Sequence, residues 1–260
     1  MRLIDTHTHL YDEKFDPDRE DMLARAIEAG VTRMLLPAVD SESHEALIGL
    51  ARNNPESCYA MIGLHPTSVN GNADFRKELE WVDTLLKNPP VRFYGVGETG
   101  LDLYWSRDFL REQEEALRFQ IELALEYDLP IVIHTRDAFD DMIRIISEYR
   151  KSGLRGVFHS FAGTEEQYHA LRDSGDFCFG IGGVITYKNS LLPETVARMK
   201  LEDIVLETDA PYLPPVPFRG KRNESSYLVY IAEKMAEVKH VPVEEIARVT
   251  TQNAERMFGI

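Results

Sequence analysis

Near its start the chain carries Asp5-Thr-His7-Thr-His9, two histidines two residues apart. On an extended strand, side chains at i and i+2 share a face. His7 and His9 therefore form a pair of imidazoles, half of a site for a cation such as Zn²⁺, Mn²⁺ or Fe²⁺. By itself the pair is weak evidence, since two satisfied histidines in a strand-end turn are the commoner case. Further along, three apolar runs end in residues of the same kind: Ile131-Val-Ile-His134, Gly156-Val-Phe-His159 and Ile204-Val-Leu-Glu-Thr-Asp209. Glu98, in Gly97-Glu-Thr-Gly100, closes another. A buried histidine or acid must be paired, hydrogen-bonded or bound to a metal. Glu98 and Asp209 at one mouth repel each other unless cations or protons compensate. A carboxylate has two oxygens, so Glu98 can bridge two cations, with His7, His9 and Asp209 on one and His134 and His159 on the other.

Such residues converge only if the chain brings the ends of its apolar runs together. Eight short β-rich runs alternate with amphipathic stretches, predicting strands at Leu3–Thr6, Arg33–Pro37, Cys58–Gly63, Phe93–Gly97, Ile131–His134, Gly156–His159, Phe177–Ile181 and Ile204–Glu207. Asp16–Ala29, stopped by Gly30, is a capped helix. Asp108–Tyr127 places Phe109, Ala116, Leu117, Gln120, Leu123 and Ala124 near one stripe. Thr164-Glu-Glu-Gln167 has the form of a capping box. Glu224–Val238 and Val243–Met257 are the last helices. Strict alternation implies a parallel sheet with right-handed crossovers. Eight repeats point to an α/β fold of one domain over residues 1–260, a single (β/α)₈ TIM-type barrel with the site at the C-terminal ends of its strands. An open doubly wound sheet is the competing fold, but no glycine-rich phosphate loop follows the first strand.

The hydrophobic fraction of 43% and charged fraction of 28% are those of a soluble globular protein. No apolar run approaches the roughly eighteen residues of a membrane span. The first residues lead straight into a strand and lack a signal-peptide pattern, so a cytoplasmic protein is expected. Cys58 and Cys178 sit in apolar runs without CxxC spacing and are read as reduced packing residues. The net charge of −15 argues against a broad nucleic-acid surface, though not against an enzyme gripping one or two phosphates through metals.

Taken in order, Asp5-Thr-His-Thr-His9, Gly63-Leu-His-Pro66, Gly97-Glu-Thr-Gly-Leu-Asp102, Ile133-His-Thr-Arg136, Phe158-His-Ser-Phe161, Leu206-Glu-Thr-Asp-Ala-Pro211 and Arg219-Gly-Lys-Arg-Asn-Glu224 resemble the TatD-type metal-dependent hydrolases of the amidohydrolase superfamily. The resemblance covers nearly the whole chain. It implies a barrel with two divalent ions (Mg²⁺, Mn²⁺ or Zn²⁺) and hydrolysis of phosphodiesters. Its DNA substrate would be trimmed from the 3′ end, single strands preferred. Carried over by position, the metal ligands are His7, His9, Glu98, His134, His159 and Asp209. In the family the basic loop is commonly followed by proline; here Ser225-Ser226 follows it.

Bound divalent cations lower the pKa of water, so Glu98 and Asp209 are the expected catalytic residues. Asp209 is read as a ligand and as acceptor of the water's proton, or as a ligand only. His65, Arg136, Arg219, Lys221 and Arg222 are candidates to hold substrate phosphate. Tyr104 and Trp105 either stack on a nucleobase or cover the barrel top. His44, His169 and His240 fall in helical stretches and read as surface or packing residues. No obligate protein partner and no membrane contact is indicated. An amidohydrolase acting on a C–N or ester bond, such as an aminoacyl-tRNA ester, shares the same scaffold. A binding protein with a vestigial site is the reading from another class, and the full ligand set stands against it. The absence of GxGxxG after a strand opposes a nucleotide-binding oxidoreductase.

Overall fold

Apolar runs become strands and the amphipathic stretches between them become helices. The computed structural model describes residues 1–260. In chain order the elements are β1 (Leu3–Asp5), α1 (Arg19–Glu28), β2 (Val31–Leu36), α2 (Ser41–Asn53), β3 (Cys58–Ile62), α3 (Pro66–Val69), α4 (Phe75–Lys87), β4 (Phe93–Asp102), α5 (Leu110–Glu126), β5 (Ile131–Arg136), α6 (Phe139–Glu148), β6 (Arg155–Phe158), α7 (Glu165–Arg172), β7 (Asp176–Ile181), α8 (Leu192–Arg198), β8 (Ile204–Leu206), α9 (Leu228–Lys239) and α10 (Val243–Phe258). The eight strands lie parallel and in sequence order in one sheet, a TIM-type (β/α)₈ barrel. No helix is long and apolar enough to cross a membrane.

Strand residues alternate between two apolar environments, as the pleat requires. Ile4, Leu35, Met61, Val132, Val157 and Val205 pack together inside, closed below by Ala254, Met257 and Phe258 of α10. Leu3, Met34, Leu36, Ile131, Phe158 and Leu206 face the helices in the larger outer core. Cys58 belongs to the outer set and Cys178 to the inner; both are free and buried.

The last join is between β8 and β1. There Thr6 N–H donates to the Leu206 carbonyl (3.0 Å), Asp209 N–H to the His7 carbonyl (2.9 Å) and His9 N–H to the Ala210 carbonyl (2.7 Å). The buried Asp5 carboxylate accepts from Thr208 N–H (2.9 Å) and its hydroxyl (2.6 Å). The residues that close the barrel are thus interleaved with three of the proposed metal ligands.

Several boundaries differ from the sequence expectation. β4 does not stop at Gly97 but continues to Asp102, pairing Thr99 with Ile133 and Gly100 with His134. Gly100 has φ +144°, and a Cβ there would lie 1.9 Å from the His134 carbonyl oxygen, so only glycine allows this approach. α1 begins at Arg19, because Asp16–Asp18 continue the turn that follows Phe15. α9 begins at Leu228, since Ser225–Tyr227 forms a 3₁₀ turn. The capping box of α7 is formed: Gln167 N–H donates to Thr164 Oγ1 (3.3 Å) and Thr164 N–H to Gln167 Oε1 (2.9 Å).

Removing the Asp5 carboxylate strands three buried donors, the N–H and hydroxyl of Thr208 and the His7 N–H. Asp5→Ala is expected to lower unfolding free energy by about 2–4 kcal/mol, read from urea unfolding of chelator-treated protein. A loss under about 0.5 kcal/mol would show that the join holds without it.

Candidate metal centre

Asp209 lies three residues beyond the end of β8, where its left-handed backbone (φ +58°) and its N–H on the His7 carbonyl (2.9 Å) set its direction. His134 reaches the barrel mouth by continuing the inner row begun by Val132 on β5, and His159 by continuing that of Val157 one residue past β6. Glu98 does not. Val96 belongs to the outer set, so a regular strand would turn Glu98 outward as well. Between Val96↔Ile131 and Thr99↔Ile133 the strand β4 spends one residue more than β5, and this bulge turns Glu98 inward. His7 and His9 are likewise not on β1, which ends at Asp5. Ile4 faces inside, so the pleat alone would carry both histidines outward. The bend after Asp5, held by Thr6 N–H on Leu206 and Thr8 N–H on Leu35 (3.1 Å), turns both inward.

Around Glu98 the donor atoms fall into two groups. His7 Nε2 lies 3.1 Å and His9 Nε2 3.8 Å from Glu98 Oε2. The two imidazole nitrogens are 3.3 Å apart, and Asp209 Oδ1 is 3.5 Å from His9 Nε2. On the other side, His134 Nδ1 lies 3.0 Å, His65 Nε2 3.4 Å and His159 Nε2 3.8 Å from Glu98 Oε1. His159 also stacks on His7 at 3.3 Å between ring centroids and approaches Asp209 Oδ1 at 3.7 Å, so it stands between the groups. Atoms bound at about 2.0–2.2 Å to one tetrahedral ion sit roughly 3.3–3.6 Å from each other. The spacings, and the mixed imidazole and carboxylate donors, fit a divalent metal.

Outer partners select which ring nitrogen faces inward. Tyr11 donates its hydroxyl proton to the Pro37 carbonyl (2.6 Å), so its oxygen accepts from His9 Nδ1 at 2.9 Å. That leaves the lone pair of His9 on Nε2. His134 Nε2 lies 2.9 Å from Asp102 Oδ2, freeing Nδ1. His159 Nδ1 meets Glu207 Oε1 at 2.9 Å, an ion-pair contact that leaves Nε2 toward the centre. Carboxylates behind metal-binding histidines act in this way. His65 is opposite in sense. Its Nδ1 accepts from Thr67 N–H (3.2 Å), so the neutral ring carries its proton on Nε2 and presents a donor.

None of these partners was singled out from sequence. Asp102 and Glu207 lay inside quoted motifs, and their signal was a second acid on the same strand end. Two buried glutamines on α5 also serve the site: Gln113 was not singled out, and Gln120 was placed on the helix stripe without a role. Gln113 holds the backbone of Asp102, and Gln120 binds Leu64 and Thr99 Oγ1 (2.6 Å). Their signal was polarity at seven-residue spacing on a stripe otherwise apolar.

Without a cation the cluster balances its charge with protons. Burial works against a charge on His159, but Glu207, Glu98 and Asp209 outweigh it and push its pKa up to about 10. Burial and the neighbouring His159 push His7 down to about 4. Burial also opposes ionisation of Glu98, yet His7, His65 and His159 hold its carboxyl well below the ordinary range.

The centre opens into a cavity of about 700 Å³ lined by His9, His65, Glu98, His134, Arg136 and Asp209 among others. Comparison with known proteins now bears on the chain. The family described as TatD related DNase matches residues 4–259. The chain belongs to this TatD family. YabD of Bacillus subtilis, named as a metal-dependent hydrolase, is 38% identical over 259 residues, 99% of each chain. A Salmonella typhimurium relative named 3′-5′ ssDNA/RNA exonuclease TatD is 31% identical over 263 residues, again 99% of each. The crystal structure of the TatD homologue YjjV from Escherichia coli superimposes with a TM-score of 0.91 at 32% identity, covering 100% of this chain and 98% of that one. This chain is a metal-dependent hydrolase.

The basic residues of this TatD-family chain are scattered. Arg136 lines the cavity. Arg219 stacks over Tyr187 at 3.9 Å in a separate cleft of about 340 Å³, beside Lys188. Lys221 is exposed near Phe218 (5.8 Å). Arg222 is committed to Asp18 (2.7 and 2.8 Å) and the Lys14 carbonyl. His169 and His240 are exposed, whereas His44 is buried in α2.

A metal can bind His159 only after the imidazole loses its proton. Loading with Zn²⁺ at pH 8 is expected to release about one proton, read by calorimetry in buffers of different ionisation enthalpy. No buffer dependence would mean that the His159 imidazole is neutral before the metal arrives or does not bind it. Glu207→Gln is expected to weaken metal affinity roughly 10–100-fold in chelator competition; an unchanged affinity would reduce Glu207 to a packing residue.

Proposed function

We propose that the chain hydrolyses phosphodiester bonds of DNA, trimming single strands from the 3′ end. In this reading His7, His9, Glu98 and Asp209 hold one divalent cation, and Glu98, His134 and His159 hold a second. The observation that carries it is the division of donors between the two oxygens of Glu98, Oε2 toward His7 and His9, Oε1 toward His134 and His159. The name of the Salmonella relative supports the substrate and the polarity. Mg²⁺, Mn²⁺ and Zn²⁺ all suit imidazole with carboxylate in some degree, Zn²⁺ best where nitrogen predominates.

When bound, the cations supply Lewis acidity to the phosphoryl oxygens and lower the pKa of a water. The chain supplies position and proton handling. Burial opposes a charge on Asp209, but His159, His9 and His7 hold its carboxyl below the usual range, so it is ionised and able to accept the water's proton. Its backbone is left-handed at φ +58°, a conformation seldom adopted by non-glycine residues, and the His7 carbonyl bonds its N–H there. His65 Nε2–H and the Arg136 guanidinium point donors at the cavity, where a substrate phosphate would sit. Arg219 and Lys221 lie outside the cavity, so they would meet the strand farther from the reacting bond.

A 5′-labelled single-stranded oligodeoxynucleotide, incubated with Mg²⁺, Mn²⁺ or Zn²⁺, is expected to shorten stepwise from its 3′ end. Glu98→Ala is expected to lose more than about 100-fold in rate and metal from both positions, read beside the cleavage by elemental analysis. An intact oligonucleotide with metal-loaded wild type would redirect the assignment to a C–N or ester bond on the same centre.

A further inference from the structure

Two aromatic rings stand in solvent at the mouth of the cavity. Tyr104 is 54% exposed and Trp105 67%, and Trp105 lines the cavity itself. Both keep more than half of their surface in solvent. They meet edge to face at 5.1 Å, and the Arg136 guanidinium lies over the Tyr104 ring at 3.7 Å and 5.8 Å from that of Trp105. Packing gives no reason for such surface, since rings of this size are among the most favourable to bury.

The group is held rigidly to the metal centre. Asp102 Oδ1 accepts from the N–H groups of Tyr104 (3.1 Å) and Trp105 (3.3 Å), while its Oδ2 meets His134 Nε2 (2.9 Å). Leu103 N–H donates to the Arg136 carbonyl (2.9 Å). One carboxylate therefore orients a proposed ligand and anchors the aromatic turn. Arg136 meets these rings and no carboxylate, in a chain with 44 acidic and 29 basic side chains. A free guanidinium beside exposed π-faces suits a ligand that carries both an anion and a flat ring.

We propose that Tyr104, Trp105 and Arg136 form a subsite that stacks one unpaired nucleobase of the strand whose phosphodiester lies at the metal centre. The proposal rests on the DNA-hydrolase reading and deepens it. In a duplex both faces of a base are already stacked, so the subsite favours single strands and frayed ends. Stacking on an aromatic accepts any base, which makes the site tolerant of sequence.

The test separates this proposal from the function beneath it. In Trp81→Phe protein, Trp105 is the one remaining tryptophan and reports directly. Deoxyadenosine monophosphate is expected to quench its emission and to bind roughly 10–100-fold more tightly than 2-deoxyribose 5-phosphate, which has the phosphate and sugar but no base. Equal affinities, or an emission that does not respond, overturn the subsite. In parallel, wild type is expected to cleave an oligonucleotide with a normal 3′-terminal region faster than one made abasic there, through KM. Trp105→Ala should lose that preference and Trp105→Phe keep most of it. Cleavage without any base preference overturns the subsite and keeps the nuclease. If no oligonucleotide is cleaved, the nuclease reading falls, and the fluorescence titration alone decides the subsite.

Discussion

One buried carboxylate governs the arrangement of the rest. Glu98 stands at the middle of the mouth with imidazoles on both oxygens, and its charge has no neutralising lysine or arginine beside it. A carboxylate in that environment persists only if positive charge is delivered to it, by protonated histidine or by cations. Asp209, Asp102 and Glu207 intensify the demand, because each adds an acid within reach of the same histidines. The structure meets it with rings whose inward nitrogens are selected by outer partners. Glu207 in turn needs space: a Cβ at Gly180 would lie 2.0 Å from Glu207 Oε2, so the neighbouring strand gives up a side chain there.

The barrel divides into two media along its axis. Below, valines and larger apolar residues fill the interior and α10 closes it. Above, the same inward rows change from valine to histidine and acid within two residues. The change of medium explains why the proposed ligands sit where they do. A polar cluster one layer lower would lose contact with the cavity, and one layer higher would lose the packing that fixes its geometry. The join of β8 to β1 passes through this boundary, so closing the barrel and placing His7, His9 and Asp209 are one event.

How legible this was in the sequence depended on whether a regular rule carried the residue to its place. His134 and His159 followed from alternation, because β5 runs through the first and β6 ends one residue before the second; Asp209, three residues past β8 and left-handed, was found by residue type. The barrel followed from eight repeats of one pattern. Glu98, His7 and His9 were found by residue type, but the geometric reason given for them was incomplete. A bulge and a bend, both set by pairing with distant strands, turn them inward, and a local sequence does not display its register. The outer partners were harder still. Asp102 and Glu207 act on His134 and His159, on neighbouring strand ends far along the chain, whereas Tyr11 sits only two residues from His9 and is committed by the distant Pro37 carbonyl. Arg219, Lys221 and Arg222 were all offered to substrate phosphate, yet in space Arg219 and Arg222 go to different neighbours, Tyr187 and Asp18.

Charge gives the proposed DNA substrate its approach. With a net charge of −15 the surface as a whole repels a polyanion. At physiological ionic strength that repulsion is screened beyond about 8 Å, so the field a strand feels is the field of the groups it touches. Those groups are uneven. Most arginines are already spent on carboxylates, as in Arg25 with Glu224 and Arg172 with Asp203. Arg136 and Arg219 are instead set on aromatic rings, near or beside the cavity. Arg136, on the lining of the cavity, offers attraction at the mouth, where an end of the proposed strand would enter. A protein built in this way binds few phosphates at once, and its affinity must come from the metal centre and from contacts to sugar and base. That division of labour is what the proposed aromatic subsite would supply, in a protein that does not grip the backbone electrostatically.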